Sequence, residues 1–415
     1  MKHKTKVISV LLCLTLVLFV FPLGVLAQEG AEAGDSPIPL EPGYDYTRFK
    51  DAGLTLNVYN WGEYISDGTD GEHIDVNAVF EEVTGIKVNY ATYETNESLY
   101  AKLKSGGAEY DVVIPSDYMI GRLIEEGLLA KLNYENIPNF SMIGQQYKGR
   151  DYDPKDEYSV AYTWGYVGII YNTTMVDKPV DSWGILWDED YKNDILMFDN
   201  SRDAFAIASR LLGLPINPEN TEQIDQAAAA LEEQRPLVQA YVMDQIFDKM
   251  QGGEAALAPY YAGDAVIMNA ANPDLSFAVP KEGTNYFVDA MCVPAGSPNQ
   301  EAAEMYINFM CETAVAMDNS LFIGYSTPQL EAEAAMPPEV RDNPWLYPPA
   351  EVLENTWTFN VLPKELNDHM DTAWNDMRTQ TGAGGWIIVL GLVLAVAVIV
   401  VSFVLRARKK RQNEY

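Results

Sequence analysis

The 415-residue chain is poor in cysteine, with three, poor in histidine, with three, and short of basic residues, with 28 lysines and arginines against 60 acids. Each shortage excludes something. Cys13 sits in the first apolar run, which leaves Cys292 and Cys311 for the rest of the chain. Two such residues make no disulfide framework, no CxxC pair and no thiolate metal spacing. They read as separate buried thiols, with a single bridge as the alternative. Beyond the first few residues the only histidines are His73 and His369, far apart in sequence. A histidine metal site or a Ser/His hydrolase centre has no local support at either, so no catalytic residue, metal ligand or cofactor is assigned. The net charge is −32, and because both ends are basic, residues 28–385 carry about −39. A nucleic-acid or anionic-lipid partner is excluded by that field. A cationic ligand is favoured by it, although acidic surfaces also serve solubility.

The two ends are different in kind. Lys2, Lys4 and Lys6 precede an apolar run over 7–21, which Pro22 and Gly24 break before Val25-Leu26-Ala27. That order predicts a secretory signal peptide over 1–27, with an uncleaved anchor as the alternative. Residues 386–405 carry no charge and are followed by Arg406, Arg408, Lys409, Lys410 and Arg411. Twenty residues at about 1.5 Å rise cover a hydrocarbon core of about 30 Å. The pattern predicts a transmembrane helix over 386–405 with its basic tail, 406–415, in the cytoplasm. The expectation is a single-pass cell-membrane protein whose binding domain is extracytoplasmic. Gly382, Gly384 and Gly385 make 380–385 a flexible joint, since no Lys-Ser/Thr follows to form a phosphate loop.

Between the ends, an acidic leader over 28–51 precedes enough chain for two domains. Residues 54–60 read as a strand. Val76, Val79, Phe80 and Val83 fall at i, i+3, i+4 and i+7 of a helix closed by Gly85. Ile86, Val88 and Tyr90 alternate as a second strand, Leu99 and Leu103 mark a second helix, and Val112-Val113-Ile114 is a short apolar strand of the kind buried on both faces. The sum is β-α-β-α-β, an open α/β sheet.

Ligands on such sheets sit beyond the carboxyl ends of the strands. Trp61 and Tyr64 follow the first strand, and Ser116 and Tyr118 the third. In the second half, 195–198 leads into Asp199-Asn200-Ser201-Arg202-Asp203, and 256–258 into Pro259-Tyr260-Tyr261. Rings and acids together suit a linear polyamine. An ammonium over a ring face contributes about 0.5–2 kcal/mol. A carboxylate facing it contributes more, provided hydrogen bonds offset the water that both ions lose.

Five segments carry a resemblance: Tyr59-Asn60-Trp61-Gly62-Glu63-Tyr64, Ser98-Leu99-Tyr100-Ala101-Lys102-Leu103-Lys104, Tyr110-Asp111-Val112-Val113-Ile114-Pro115-Ser116, Val279-Pro280-Lys281-Glu282-Gly283 and Ile323-Gly324-Tyr325-Ser326-Thr327-Pro328. In this order they resemble the spermidine/putrescine-binding proteins of bacterial polyamine ABC importers, over residues 54–377. The resemblance implies a two-lobed, periplasmic-binding-protein-like α/β fold that closes on ligand about a hinge. The first lobe would comprise 52–163 and 289–334, the second 164–288 and 335–379, with crossings near 162–168, 287–293 and 324–333. It implies a ligand slot of Trp61, Tyr64, Ser116, Tyr118, Asp203, Tyr261, Asp264, Phe287, Asp289 and Tyr325. Asp289 would grip one amine, Asp203 the other, and the aromatic rings would enclose the methylenes.

Two kinds of alternative stay open. Asp203 stands three residues after Asn200 and could cap a helix, while Tyr261 and Phe287 could be core residues. Asn200, Tyr261, Phe287 and Thr358 depart from the spermidine-type pattern, and Asp264 and Phe287 match the putrescine-type branch, so ligand length is undecided. The implied protein is a monomer that binds a polyamine, is no enzyme, and hands its ligand to permease subunits. A binding protein for another small cationic solute and a ligand-sensing receptor are the alternatives, the latter disfavoured by a tail of ten residues.

Overall fold

The computed structural model describes residues 36–106 and 109–379. The signal peptide expected over 1–27, the joint over 380–385, the membrane helix over 386–405 and the tail over 406–415 lie outside the described residues. No helix among the described residues is long and apolar enough to cross a membrane.

The local rules that mark the first elements hold in space. Strand β1 (Thr55–Trp61) leads to a helix over Val76–Thr84, which Asp75 caps by accepting from the Ala78 amide. Gly85 ends that helix at φ 74°, and a Cβ there would meet the Lys50 carbonyl oxygen at 2.6 Å, so no other residue fits. Strand β2 (Lys87–Tyr93) follows, then a helix over Asn96–Lys104 closed at its start by a Thr95/Ser98 capping box, then β3 (Val112–Val113). β1 lies between β2 and β3, parallel to both.

Strand β4 (Ser159–Asn172) is 14 residues long and serves two neighbourhoods. The later strands are β5 (Ile195–Phe198), β6 (Val238–Val242), β7 (Leu257–Tyr261), β8 (Leu275–Ala278), β9 (Thr284–Cys292) and β10 (Thr356–Trp357). Ser159 to Tyr166 of β4 pair antiparallel with β9, and Val167 to Asn172 pair with β7 and β8. β9 in turn meets β3, giving the order β2-β1-β3-β9-β4-β7-β5-β6, with β8 on β4 and β10 on β9. The register of β4 on β9 shifts between Ala161 and Thr163, and the chain passes between the two halves just beyond it, from Trp164 to Tyr166. A third passage pairs Ser326 with Trp164.

Apolar burial divides accordingly. One core gathers Val58, Phe80, Ile114, Tyr306 and Phe309; the other gathers Trp183, Phe198, Phe205 and Leu257. The fold is therefore a two-lobed α/β structure. A third cluster joins Tyr59, Tyr93 and Tyr118 of the first lobe to Ala206, Ile216 and Phe359 of the second. Cys292 and Cys311 are both buried and unbridged.

One boundary differs from expectation. The second half of the leader is part of the first lobe: Tyr46 is buried against Phe309, and its hydroxyl donates to Glu312, which Asn139 and the Glu41 amide also reach. Composition marks 28–51 as acidic, but Tyr44, Tyr46 and Phe49 supply enough apolar surface to dock its end. Tyr46→Ala is expected to lower the stability of the first lobe by about 3 kcal/mol, the cost of emptying a buried aromatic site, in urea unfolding followed by tryptophan fluorescence. A loss below about 1 kcal/mol would show that the segment is not part of that core.

Candidate ligand-binding site

The chain ends its strands and starts its helices around one cleft of about 640 Å³, counting its open mouth. Trp61 closes β1 and Tyr64 follows it. Ser116 precedes the helix Asp117–Glu125, and Tyr118 stands in its first turn. Asp203 occupies the first turn of the helix Ser201–Leu211, and Asp264 that of the helix Ala262–Ala271, directly after Tyr261 at the end of β7. Phe287 and Asp289 alternate along β9. Tyr325 follows Gly324, the left-handed residue that ends the helix Thr313–Ile323. All ten residues singled out from the sequence line this cleft.

Aromatic rings make its walls. Tyr64 stands edge-on to Tyr325 at 4.8 Å between ring centres, Tyr261 edge-on to Phe287 at 5.4 Å, and Tyr118 edge-on to Phe359 at 5.6 Å. The carboxylates are held by neutral donors. The Tyr64 hydroxyl, which itself takes a short hydrogen bond from Thr163, donates to Asp289 Oδ2 at 2.8 Å. Asp289 Oδ1 is buried without a hydrogen-bond partner. Tyr325 donates to Asp264 Oδ2 at 2.8 Å. Asp203 accepts from Asn200 Nδ2 at 2.9 Å, from the Tyr261 hydroxyl at 3.1 Å and from Asn285 Nδ2 at 3.4 Å.

The competing reading of Asp203 as a helix cap is answered by this geometry. Asn200 is the N-cap, its Oδ1 accepting from the Arg202 and Asp203 amides. The Asp203 side chain caps no backbone amide and accepts instead from the side chains of Asn200, Tyr261 and Asn285. Tyr261 and Phe287 likewise combine packing with exposure to the cleft, so the core reading and the wall reading describe the same two rings.

Burial sets the electrostatics. It pushes Asp289 up to about 6, against the lowering pull of Ser116 and Tyr64. It pushes Asp203 up to about 7 against its Tyr261 hydrogen bond, and Asp264 up to about 8 against that of Tyr325. Each carboxylate sits in a place that disfavours its charge while aromatic hydroxyls and amides wait to stabilise it. Among the described residues no lysine, arginine or histidine lines the cleft. His73 and His369 lie elsewhere, each against an exposed aspartate at 2.7 Å. Among the described residues no group of three potential ligands gathers for a metal.

Several lining residues were not singled out from the sequence: Asn96, Asp117, Asp244, Phe247, Asn285 and Phe359. Two of them carried a readable signal. Asn285 lies at i−2 from Phe287 and i−4 from Asp289, on the same face of one strand. Asp244 follows the carboxyl end of β6, as the other site residues follow theirs. Phe359, not its neighbour Thr358, reaches the cleft; the Thr358 carbonyl is engaged by Asn217.

A two-lobed α/β molecule with an acidic, aromatic cleft defines a class, the ligand-binding proteins that close between lobes. A family model for bacterial extracellular solute-binding proteins matches residues 109–356. Over 311 residues the chain is 36% identical to the spermidine/putrescine-binding periplasmic protein of Salmonella typhimurium, a match that covers 74% of this chain and 87% of that protein. Over 304 residues it is 36% identical to the protein of the same name from Escherichia coli K12, covering 72% and 85%. Among solved structures it is similar to the spermidine/putrescine ABC transporter substrate-binding protein PotD from Streptococcus pneumoniae, with a TM-score of 0.65 and 32% identity over 79% of this chain and 99% of that one. The chain belongs to the bacterial extracellular solute-binding proteins.

These findings correct one expectation. A single-pass cell-membrane location is overturned: the relatives are periplasmic proteins by name, and no helix among the described residues is long and apolar enough to cross a membrane.

The raised carboxylates make a prediction about the unliganded protein. Its folded state binds more protons than the unfolded chain wherever Asp289, Asp203 and Asp264, at about 6, 7 and 8, are protonated and free aspartates are not. Their contribution to stability is therefore full only below the free-aspartate range near pH 4, and it is lost progressively as pH rises from there through the folded values of about 6, 7 and 8. Calorimetric melting without ligand is expected to give a higher Tm at pH 5.5 than at pH 8, with the difference shrinking in Asp203→Asn/Asp264→Asn. An equal difference in that double variant would assign it to other groups.

Proposed function

We propose that this protein is the ligand-capturing component of an ABC importer for a polyamine, putrescine or spermidine, which it encloses between its lobes and delivers to permease subunits in the membrane. The observation that carries the reading is Asp289: a buried carboxylate on an aromatic-walled cleft, one oxygen fixed by Tyr64 and the other without a partner, where no basic side chain lines the space. An isolated buried charge is costly, and an ammonium removes that cost.

The ten cleft residues take complementary roles. Asp289 and Asp203 receive ammonium groups, Asp264, held by the Tyr325 hydroxyl, adds to the negative charge they face, and Trp61, Tyr64, Tyr118, Tyr261, Phe287 and Tyr325 cover the methylene chain, while Ser116 lies beside Asp289. The lobes divide as 52–163, extended by the docked end of the leader, with 289–334, and 164–288 with 335–379, and closure about the three passages forms the state that the permease reads. Binding, not catalysis, is the chemistry. The names of the relatives, the order of the matching segments and the acid-and-ring lining all support this reading.

Because the site carboxylates must ionise to hold a cation, binding near pH 7 is expected to release protons and to strengthen as pH rises from about 5.5 to 8. Titration calorimetry of the full chain in two buffers of different ionisation enthalpy reads both effects. In the same assay Asp289→Asn is expected to weaken putrescine binding by at least about thirtyfold, since breaking a buried charge pair costs about 2–5 kcal/mol, and far more than Glu63→Gln does. Equal binding of putrescine and the uncharged diol of the same length would sink the proposal.

A further inference from the structure

Six carboxylates line the cleft, Glu63, Asp117, Asp203, Asp244, Asp264 and Asp289. A diamine brings only two positive charges. Asp203, Asp264 and Asp289 are each held by a tyrosine hydroxyl. Asp244 is held by nothing. It stands between β6 and the helix Ile246–Gln251, and among the described residues its side chain has no hydrogen-bond or ion-pair partner.

Its position is nevertheless specified. Asp244 reaches across from the second lobe to the backbone of Gly62 in the first, so closely that a Cβ at residue 62 would fall 2.1 Å from Asp244 Oδ2. Only glycine at 62 admits that carboxylate. Burial raises Asp244 to about 6, and Glu63 and Glu94 of the first lobe push it the same way. From its own lobe it faces Asp264 and Tyr260, both of which feel its charge. No cation stands among these groups. The contact thus joins the lobes through like charges, an arrangement that opposes closure until a positive group enters. Asp289, buried in the same cleft with an unpartnered oxygen, marks the space independently as one built for a cation.

We propose that Asp244 is a specificity-determining residue that reads polyamine length: the inner carboxylates Asp203, Asp264 and Asp289 hold the span of a diamine, and Asp244, seated against Gly62 and beside Glu63, receives the further ammonium of a triamine. The inference rests on the polyamine reading above and deepens it. A triamine supplies the charge that lets the two lobes meet at this point. A diamine leaves Asp244 and Glu63 uncompensated, so the cleft favours the longer ligand.

Titration calorimetry of the full chain with putrescine and with spermidine tests this in the wild type, Asp244→Asn, Asp244→Ser and Gly62→Ala. The ratio of spermidine to putrescine affinity is expected to fall about tenfold in both Asp244 variants, the size of one lost charge-assisted contact. Gly62→Ala is expected to move it the same way by displacing the carboxylate. A residue that only supports the fold would weaken both ligands by the same factor, so an unchanged ratio in the Asp244 variants overturns the length-reading role. Wild type that binds neither amine overturns the polyamine reading, and this inference with it.

Discussion

A carboxylate withdrawn from water must either take up a proton or meet a cation. Asp289, Asp203 and Asp264 are withdrawn from water together, and burial raises all three. The rest of the site is arranged around that constraint. Hydroxyls and amides from Tyr64, Tyr261, Tyr325 and Asn285 fix the carboxylate oxygens without neutralising them. The ring walls exclude solvent yet present negative faces on which a cation is welcome. Asp203 and Asp264 each stand in the first turn of a helix, where backbone dipoles favour negative charge, so the aspartates are poised between their protonated and ionised forms.

That poise requires a cleft that can open, and the fold supplies one. Two apolar cores stand on either side, and the chain passes between them in β4, in β9 and beside Ser326. β4 leaves one core for the other between Trp164 and Tyr166, just beyond its irregular register at Ala161–Thr163 and the Thr163 hydroxyl that holds Tyr64. Movement at the passage and the setting of Asp289 are therefore mechanically linked through two side chains.

Much of this was legible in the residues. Periodicity marked the first three strands and two helices, because their apolar positions repeat cleanly and Gly85 and Thr95 punctuate them. Strand ends followed by rings and acids marked the cleft, and ordered segments such as Tyr59 to Tyr64 and Ile323 to Pro328 carried the family. What stayed hidden depends on distant contact. Phe247 and Phe359 reach the cleft only when the lobes are assembled, and no local pattern sets them apart from surface residues. The docking of Tyr46 onto Glu312 spans 266 positions, beyond any window of periodicity. The single-pass cell-membrane location was read from a charge-free run and the basic residues after it, and the periplasmic names of the relatives overturn it.

The discontinuous lobes have a consequence for how the chain is made. The first core is completed by β9 and by Met305, Tyr306 and Phe309, the second by Leu366, Met370 and Met377 of the helix Lys364–Thr379. Each core thus waits for segments that emerge long after its opening strands. Such distant closures slow folding and leave apolar strands exposed meanwhile. A nascent chain stopped at residue 300 would own neither finished core, so assembly is committed late, nearly all at once, and any chaperone that guards it must hold most of the chain.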